Sequence, residues 1–290
     1  MKIKNVTILD TFAEAWTLEV VRVVLTATTT EVVLGGAYQF AGAAGSSMIG
    51  SRINAGIERA ALPQETPDGR PGVFVSMAMP PDQREAMLKE IELRIALASL
   101  IPTIAVFDAA IESVPGETVN IHDKFSLSAE RWAGYDTERE LEGRKLCVLP
   151  TTTGEFVYEK AYKVCTNGTD GHFVCFAESE TAAVAAVAAA KDALAGVDGA
   201  SPMGYGLEQV FREYDYIPSL RDKIEDSKVP DGVSSILNLL MFGASPELMR
   251  QAMAASLRAA AQVPGVTYLG AMNFGGEFGK HQYHLHELLK

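Results

Sequence analysis

Several signatures that commonly identify a protein class are missing from this sequence. Its 290 residues include only three cysteines, and these form neither a CxxC motif nor a paired framework. The sequence therefore predicts a protein without structural disulfides in a reducing compartment, the cytoplasm. No signal peptide is visible, because Asp10 precedes any apolar run. The best apolar run, residues 95–107, contains Pro102 and is too short to cross a bilayer, so no membrane association is expected.

Positive charge is also scarce. The chain has 25 Lys and Arg residues against 37 Asp and Glu residues, a formal net charge of −12. This balance argues against nucleic acid or an acidic membrane surface as a partner. The chain contains no GxGxxG after a strand, no P-loop and no GxSxG motif. Its length and its hydrophobic fraction of 48% predict a soluble globular protein of one large domain or two lobes.

The apolar pattern predicts strands that alternate with helices. Strands are expected at residues 6–9, 18–26, 46–50, 73–79, 104–107, 124–131, 145–149, 156–165, 172–176, 233–242, 267–272 and 282–287. Helices are expected at residues 30–43, from 80 to just before Pro102, at 180–194 and at 245–262. Asn167-Gly168 and Asp170-Gly171 are typical turn signals.

Both alanine-rich helices of the second half end in the same kind of segment. Val197-Asp198-Gly199-Ala200 follows the first, and Val263-Pro264-Gly265-Val266 follows the second. This repetition indicates a duplicated β-α-β plan, and the first 110 residues hold two further β-α-β units. We predict an α+β fold of two ferredoxin-like lobes built from duplicated β-α-β units, one at 1–145 and the other at 146–290.

Residues 56–72 combine three prolines, three glycines and five charged side chains. Pro67-Asp68-Gly69 predicts a turn, since proline presets φ, aspartate tolerates turn geometry and glycine supplies positive φ. Such a rigid loop could orient polar groups at a site, or it could be an ion-paired connection between strands. The residues alone leave both interpretations open.

Two groups of possible metal ligands are weak candidates. Cys165, His172 and Cys175 match no usual zinc spacing and flank a predicted hairpin. His281, His284 and His286 lie on a predicted terminal strand, where 284 and 286 share a face and 281 points away. Ordinary polar positions explain both groups, and no metal site is predicted.

Several segments stand out in order along nearly the whole chain: Asp10-Thr11-Phe12-Ala13-Glu14-Ala15, Ala55-Gly56-Ile57-Glu58-Arg59, Glu65-Thr66-Pro67-Asp68-Gly69-Arg70-Pro71-Gly72, Val263-Pro264-Gly265-Val266, Asn273-Phe274-Gly275-Gly276 and Leu285-His286-Glu287-Leu288. Together they resemble the formylmethanofuran:tetrahydromethanopterin formyltransferase family, and the segment from Glu65 to Gly72 is highly specific. The resemblance implies formyl transfer between the amine of methanofuran and N5 of tetrahydromethanopterin, or a modified pterin, in methanogenesis or methylotrophy. These carriers are substrates, and neither a covalently bound cofactor nor a metal is required. It also implies a dimer or tetramer, with active sites at subunit contacts, or membership of a formyltransferase/hydrolase complex.

The resemblance also suggests site residues. Acid–base or catalytic roles are expected at Glu65, Glu14 and Asn238. Substrate-binding roles are expected at Asp10, Asp68, Arg70, Asn273, Gly275 and Gly276. For Asp68 and Arg70, shaping of their own loop is the alternative.

The chain departs from the family pattern near the expected reaction site. Asn238 stands where the family has a glutamate, and asparagine can donate a hydrogen bond to an oxyanion but cannot exchange a proton near neutral pH. A Gly-Gln-Cys run is replaced by Ala96-Leu97-Ala98, a longer loop is shortened to residues 200–206, and Glu277 replaces a lysine. Two hypotheses follow: a divergent formyltransferase, or a paralogue that keeps the fold as a binding or assembly subunit.

Overall fold

The computed structural model describes residues 1–121, 134–209 and 214–290. The strand predicted at 124–131 lies outside the described residues. Internal contacts divide the chain into a terminal unit, Met1–Thr17 with Thr169–Lys290, and a central unit, Leu18–Gly168. The predicted lobe boundary at 145–146 falls within a strand of the central unit, Arg144–Thr151. The difference arises because the N-terminal strand pairs with a strand near the C-terminus, Thr7 opposite Tyr268.

The elements of the described residues are as follows. The strands are β1 (Lys2–Ile3), β2 (Val6–Ile8), β3 (Phe12–Ala15), β4 (Thr17–Thr26), β5 (Asn54–Ala61), β6 (Gly72–Met79), β7 (Ala105–Asp108), β8 (Gly116–Asn120), β9 (Thr137–Leu141), β10 (Arg144–Thr151), β11 (Gly154–Glu159), β12 (Ala161–Ala177), β13 (Ala200–Glu208), β14 (Ser235–Gly243), β15 (Val266–Gly270) and β16 (His281–His284). The helices are α1 (Thr30–Ala41), α2 (Arg84–Ala98), α3 (Glu180–Leu194), α4 (Pro246–Ala260) and α5 (Leu285–Leu288). Short 3₁₀ helices occur at Ser47–Ile49, Pro63–Glu65, Pro81–Gln83, Tyr214–Tyr216 and Pro218–Lys223.

The central unit is a sheet that packs against two helices. Its strands follow the spatial order β5-β6-β4-β7-β11-β10-β9, in which the β7–β11 pair is parallel and the other neighbours are antiparallel. Helices α1 and α2 bury Phe40 and Ile91 in the same core as Val23 and Val75. Along the chain, the first six strands and helices of this unit run β-α-β-β-α-β, from β4 to β7.

The terminal unit repeats this arrangement with different residues. Its sheet has the order β1-β2-β15-β12-β14-β13, and a separate antiparallel pair joins β3 to β16. Alanines allow α3 and α4 to approach each other and the sheet: Ala186 and Ala190 lie in one core with Leu239 and Met253. At this close contact the hydroxyl of Ser256 donates to the Ala190 carbonyl at 3.0 Å. The unit is therefore a mixed α/β layer structure dominated by its sheet.

Helix starts follow the sequence closely. Thr29, Ser179 and Ser245 cap α1, α3 and α4, and each side-chain oxygen accepts a backbone N–H three residues later. In α4 a proline also occupies the first helical turn, where it sacrifices no hydrogen bond. These caps explain why the helix positions could be predicted from local signals alone.

Four local predictions were wrong. Residues 46–50 were predicted as a strand but contain a 3₁₀ turn, and the strand β5 instead begins at Asn54 and takes up the first part of the predicted 56–72 loop. The strand predicted at 282–287 ends at His284, and His286 lies on the helix α5.

The predicted turns at 167–168 and 170–171 are part of the continuous strand β12. Residues 200–206, expected as a shortened loop, belong to strand β13. In these last two cases pairing with neighbouring strands overrides the local turn preference of glycine and proline.

The helices of the described residues are also informative about membranes. None of them combines the length and the apolar composition that crossing a bilayer requires.

Candidate active site

The carboxylate of Glu14, on β3, is held by the backbone of residues 273–279, which we call the 273–279 loop. Its oxygens accept four N–H groups: Phe274 at 2.7 Å, Gly276 at 3.0 Å, Phe278 at 2.7 Å and Gly279 at 2.6 Å. The side chain is only 1% exposed. Successive backbone N–H groups that point at one anion form a concave nest. Glu14 therefore fixes the path of this loop from within the protein.

This arrangement determines the protonation state of Glu14. Desolvation alone would raise the pKa of its carboxyl, but the four backbone hydrogen bonds outweigh it and lower the pKa to about 2. The group is therefore ionised throughout the neutral range and cannot exchange a proton there. Its geometry is that of an internal anchor for the loop.

Asn273 and the two glycines that follow Phe274 also shape the loop. The Asn273 amide donates to Thr11 Oγ1 at 3.1 Å and to the Phe12 carbonyl at 3.2 Å, and its oxygen accepts the Gly275 N–H at 3.2 Å. Gly276 has φ of +79°, and a Cβ there would lie 2.3 Å from the Gln282 side chain. The amide and the glycine are thus required by the loop itself.

The 273–279 loop presents two aromatic rings to solvent. Phe274 is 53% exposed and Phe278 is 67% exposed, and the rings meet edge to face with centroids 5.9 Å apart. The Trp16 ring packs on Phe274 at 6.2 Å. Because Glu14 fixes the loop, these rings form a preorganised apolar surface of the kind that binds planar ligands.

Asp170, on β12, lies beside this aromatic surface. Its Oδ1 accepts the Trp16 N–H at 2.6 Å, and its own N–H donates to the Trp16 carbonyl at 3.3 Å. The residue retains partial exposure. Burial raises the pKa of its carboxyl to about 7, although the Trp16 N–H acts in the opposite direction. Sequence reasoning missed Asp170 as a site residue because Asp-Gly reads as a turn.

His172 follows two residues later on the same face of β12. Burial lowers the pKa of its ring to about 4, so the ring is neutral and Nε2 can accept the Met272 N–H at 3.0 Å. Met272 directly precedes the 273–279 loop. His172 therefore anchors the start of the loop, as Glu14 anchors its middle, and no group of metal-ligating side chains forms here or elsewhere in the described residues.

Asn238 occupies a central position on β14. It lies opposite Val174, while Leu240 lies opposite His172, so Asn238 and His172 share one face of the sheet and are diagonal neighbours. Asn238 is 3% exposed, and its Oδ1 has no hydrogen-bond partner among the described residues. Buried polar atoms of native proteins are usually paired, so this amide is a candidate for contact with a ligand.

Asp10 lies apart from this group, near the chain termini. Its exposed carboxylate is 3.3 Å from Nδ1 of His286, whose Nε2 lies 2.8 Å from the Ile8 carbonyl. This contact links β2 to α5.

Asp68 and Arg70, in the central unit, pair with each other. The Arg70 guanidinium donates from Nε to Asp68 Oδ2 at 2.8 Å, from Nη1 to the Thr103 carbonyl at 2.7 Å and from Nη2 to Thr26 Oγ1 at 2.9 Å. Thr26 in turn donates to Asp68 Oδ2 at 2.7 Å. Thr103 has φ of +64°, an uncommon conformation that the Arg70 bond helps to hold. This network favours the loop-shaping interpretation of both residues.

Glu65 belongs to the same loop and is also paired. Its Oε1 lies 2.9 Å from the Arg59 guanidinium, and its Oε2 accepts the Leu62 N–H at 2.8 Å. The hydrogen bond from Arg59, and then that from Leu62, lower the pKa of Glu65. Both partners stabilise the ionised form, which makes Glu65 a poor proton donor at neutral pH.

Replacing Arg70 by lysine is expected to lower the free energy of unfolding by about 1–2 kcal/mol, because an ammonium group cannot make the three-way planar contact. Urea unfolding followed by circular dichroism measures the change. Arg52→Lys, at an exposed position, is the matched control and should stay within about 0.5 kcal/mol of the unchanged protein. Equal free energies of unfolding for Arg70→Lys and Arg52→Lys would show that the hydrogen bonds of Arg70 do not stabilise the fold.

The structure thus distributes the predicted site residues between two units. The terminal unit holds Asp10, Glu14, Asn238, Asn273, Gly275 and Gly276, and the central unit holds Glu65, Asp68 and Arg70. Of these, Asn273, Gly275 and Gly276 lie in the 273–279 loop, which Glu14 holds from β3. Asp10 instead pairs with His286.

Comparison with known proteins gives consistent matches. The sequence model for formylmethanofuran-tetrahydromethanopterin formyltransferase matches residues 1–151, and the model for the proximal lobe of that protein matches residues 211–288. The formylmethanofuran–tetrahydromethanopterin formyltransferase of Methanopyrus kandleri is 34% identical over 302 residues, which cover 99% of this chain and 100% of the relative. That of Methanothermobacter thermautotrophicus is 33% identical over 304 residues, with 99% and 100% covered.

Two solved structures are similar as well. The formylmethanofuran:tetrahydromethanopterin formyltransferase of Methanosarcina barkeri has a TM-score of 0.89 and 34% identity, covering 99% of this chain and 100% of its own. The formyltransferase/hydrolase complex of Methylorubrum extorquens, solved with methylofuran, contains a chain with a TM-score of 0.86 and 24% identity, covering 100% and 99%. At that identity the second likeness establishes the fold alone.

Proposed function

Because this chain belongs to the formylmethanofuran–tetrahydromethanopterin formyltransferase family, we propose that it moves a formyl group between the amine of methanofuran and N5 of tetrahydromethanopterin. The observation that carries this proposal is the match to curated formyltransferases along essentially the whole of both chains. Both carriers are substrates, and neither is a covalently bound cofactor. The reaction belongs to the one-carbon metabolism of methanogenesis or methylotrophy.

Transfer from an amide to an amine sets clear chemical demands. The N5 lone pair attacks the formyl carbon, and the carbonyl π electrons move to oxygen and form a tetrahedral oxyanion. The C–N bond to the methanofuran nitrogen then breaks as the carbonyl reforms. One proton must leave N5 and another must reach the departing nitrogen, so the protein supplies positioning, oxyanion donors and proton exchange.

The terminal unit supports a division of these tasks. Glu14, Asn273, Gly275 and Gly276 shape the 273–279 loop, whose exposed rings offer a surface for a planar carrier ring. The buried Asn238 amide is suited to hydrogen-bond the oxyanion or the formyl group. Asp10, whose exposed carboxylate pairs with His286, is the remaining residue of this unit for which substrate binding is proposed.

The central unit supports a separate role for the loop around Pro67. Asp68 and Arg70 hold its path through Thr26 and Thr103, and Glu65 fixes its first turn through Leu62. We assign these side chains to presenting the loop to substrate.

The fold and assembly complete the proposal. Both units are ferredoxin-like, which is supported by their β-α-β-β-α-β order and by sheets in which the fourth strand neighbours the first. We also propose a cytoplasmic dimer or tetramer, or a place in a formyltransferase/hydrolase complex such as the one that contains the Methylorubrum relative. A sedimentation mass of one chain, with no partner recovered from the native host, would contradict this assembly.

The direct test of the function uses the purified full chain with N-formylmethanofuran and tetrahydromethanopterin. We expect formation of the N5-formyl pterin and release of the free amine, followed by liquid chromatography and mass spectrometry. A rate no higher than that of the two carriers without protein would overturn the proposal.

A further inference from the structure

Three of the predicted site residues in the terminal unit are poorly suited to proton exchange with a substrate. Asn238 cannot exchange a proton near neutral pH. Glu14 stays ionised because four backbone N–H groups hold its carboxylate. Asp10 lies next to His286 at the chain termini. A further carboxyl beside the 273–279 loop is therefore of interest.

Asp170 has the placement that such a group needs. The Trp16 N–H donates to the Asp170 carboxyl at 2.6 Å and orients it, while the Asp170 N–H donates to the Trp16 carbonyl. The Trp16 ring packs on the exposed ring of Phe274. Only Oδ1 is used by Trp16, and the residue is partly exposed. The same sheet face carries His172 and Asn238 further along the strands. Along β12, His172 lies between Asp170 and Val174, the residue opposite Asn238, so Asp170 is the member of this row that contacts Trp16.

We propose that Asp170 is the acid–base residue of formyl transfer in this chain, an inference that rests on the proposed function. As N5 bonds to the formyl carbon, the Asp170 carboxylate takes the N5 proton and becomes a carboxylic acid. As the C–N bond to the leaving nitrogen breaks, the acid returns a proton to that nitrogen, and the oxyanion electrons reform the carbonyl. Asp170 ends the cycle ionised, and the atoms and charges balance.

The surroundings of Asp170 are suited to this exchange. His172 on the same strand is neutral, because burial lowers the pKa of its ring to about 4. Tyr283 on β16 is also neutral, since burial raises the pKa of its hydroxyl to about 12. Arg250 on α4 faces the Tyr283 ring, with its guanidinium 5.9 Å from the ring centroid. Burial is the main cause of the raised pKa of the Asp170 carboxyl. A base whose pKa is close to the working pH is the most effective.

The test compares Asp170→Asn with the unchanged protein and with Asp192→Asn, an exposed aspartate on α3. The kcat and the KM of both carriers are measured from about pH 5 to about pH 9. For Asp170→Asn we expect kcat to fall about 10²-fold or more, with both KM values little changed. The unchanged protein should show a decline of kcat/KM below about pH 7, and Asp170→Asn should lack it. Asp192→Asn should behave like the unchanged protein.

The possible outcomes separate this inference from the function itself. An inactive unchanged protein would overturn the formyltransferase proposal, and the role of Asp170 with it. An active protein in which Asp170→Asn keeps both kcat and the pH profile would overturn the role of Asp170 alone. If circular dichroism shows that Asp170→Asn does not fold, Asp170→Glu is used instead. A shift along the pH axis of the low-pH decline of kcat/KM supports the role of Asp170, and a pH profile identical to that of the unchanged protein refutes it.

Discussion

Replacing Glu58 by glutamine is expected to lower the free energy of unfolding by about 3 kcal/mol, one of the largest effects of a single substitution in this chain. Glu58 lies on β5 and accepts a hydrogen bond from Arg22 Nε at 2.8 Å and one from Ser76 Oγ at 2.5 Å. The side chains of Arg22 and Glu58 are only 6% and 2% exposed. Glutamine keeps the size and most of the hydrogen bonds but removes the negative charge that Glu58 places beside the buried Arg22 guanidinium.

The other contacts of the buried Arg22 guanidinium limit the loss of stability in Glu58→Gln. The Arg22 guanidinium also packs over the Phe74 ring, 3.9 Å from its centroid, and donates to the Ala109 carbonyl. These contacts retain part of its stabilisation, which is why we expect the lower end of the usual range for a broken buried pair.

Urea unfolding of Arg22→Met, Glu58→Met and the double variant measures how much the pair contributes to the free energy of unfolding. The double replacement Arg22→Met with Glu58→Met should recover most of the lost stability, because it removes both buried charges. Glu155→Gln is the exposed control: its partner is Arg139, both side chains are 49% exposed, and the change should cost less than about 1 kcal/mol. A Glu58→Gln protein as stable as Glu155→Gln would contradict the argument.

Glu14→Gln should reduce formyl transfer about 10²-fold, because a displacement of about 1 Å at a binding loop has effects of this size. The glutamine amide places an NH₂ group where an oxygen now accepts two backbone N–H groups, so donors would face donors. The 273–279 loop should therefore lose its fixed path. Steady-state kinetics measure the loss of activity, and hydrogen exchange measures the protection of the amides of Phe274, Gly276, Phe278 and Gly279.

A pH dependence of stability accompanies this prediction. The pKa of Glu14 is about 2 in the folded protein against 4.5 for the unperturbed group. A lowered pKa means that the stabilisation is complete above about pH 4.5 and is lost as the pH falls towards about 2. Glu14→Gln should lack this part of the acid destabilisation.

Glu287→Gln, at an exposed position of α5 in the same unit, is the matched control and should keep both the activity and the amide protection. Unchanged exchange of the loop amides in Glu14→Gln would show that the carboxylate does not hold the loop.

Local sequence signals were sufficient where an element depends on its own residues. Ser179 and Ser245 start α3 and α4 as predicted, because a serine cap satisfies N–H groups within one turn. The strand at 18–26 was predicted from its β-branched run and that at 73–79 from its alternation, and they match β4 and β6 closely. The segment from Glu65 to Gly72 was distinctive enough to indicate the family that the comparisons establish.

Signals based on glycine were misleading where packing set the conformation. Gly171 was predicted to end a turn, yet it lies in β12, where a Cβ would come within 3.0 Å of the Met253 sulfur and 3.2 Å of the Met249 sulfur. The glycine allows α4 to approach the sheet closely, and this requirement is invisible in the local sequence. The same error concealed Asp170, which was read as part of that turn.

The sequence by itself determined the family, the alternation of strands and helices and most helix starts, because these depend on residues close together along the chain. Only the tertiary structure decided the states of the acidic groups. Glu14 is ionised because backbone N–H groups about 260 positions away surround it, and Asp170 titrates near neutral pH because the fold buries it beside Trp16. A carboxyl pKa is set by desolvation and hydrogen bonds, and both arise only when distant segments pack together.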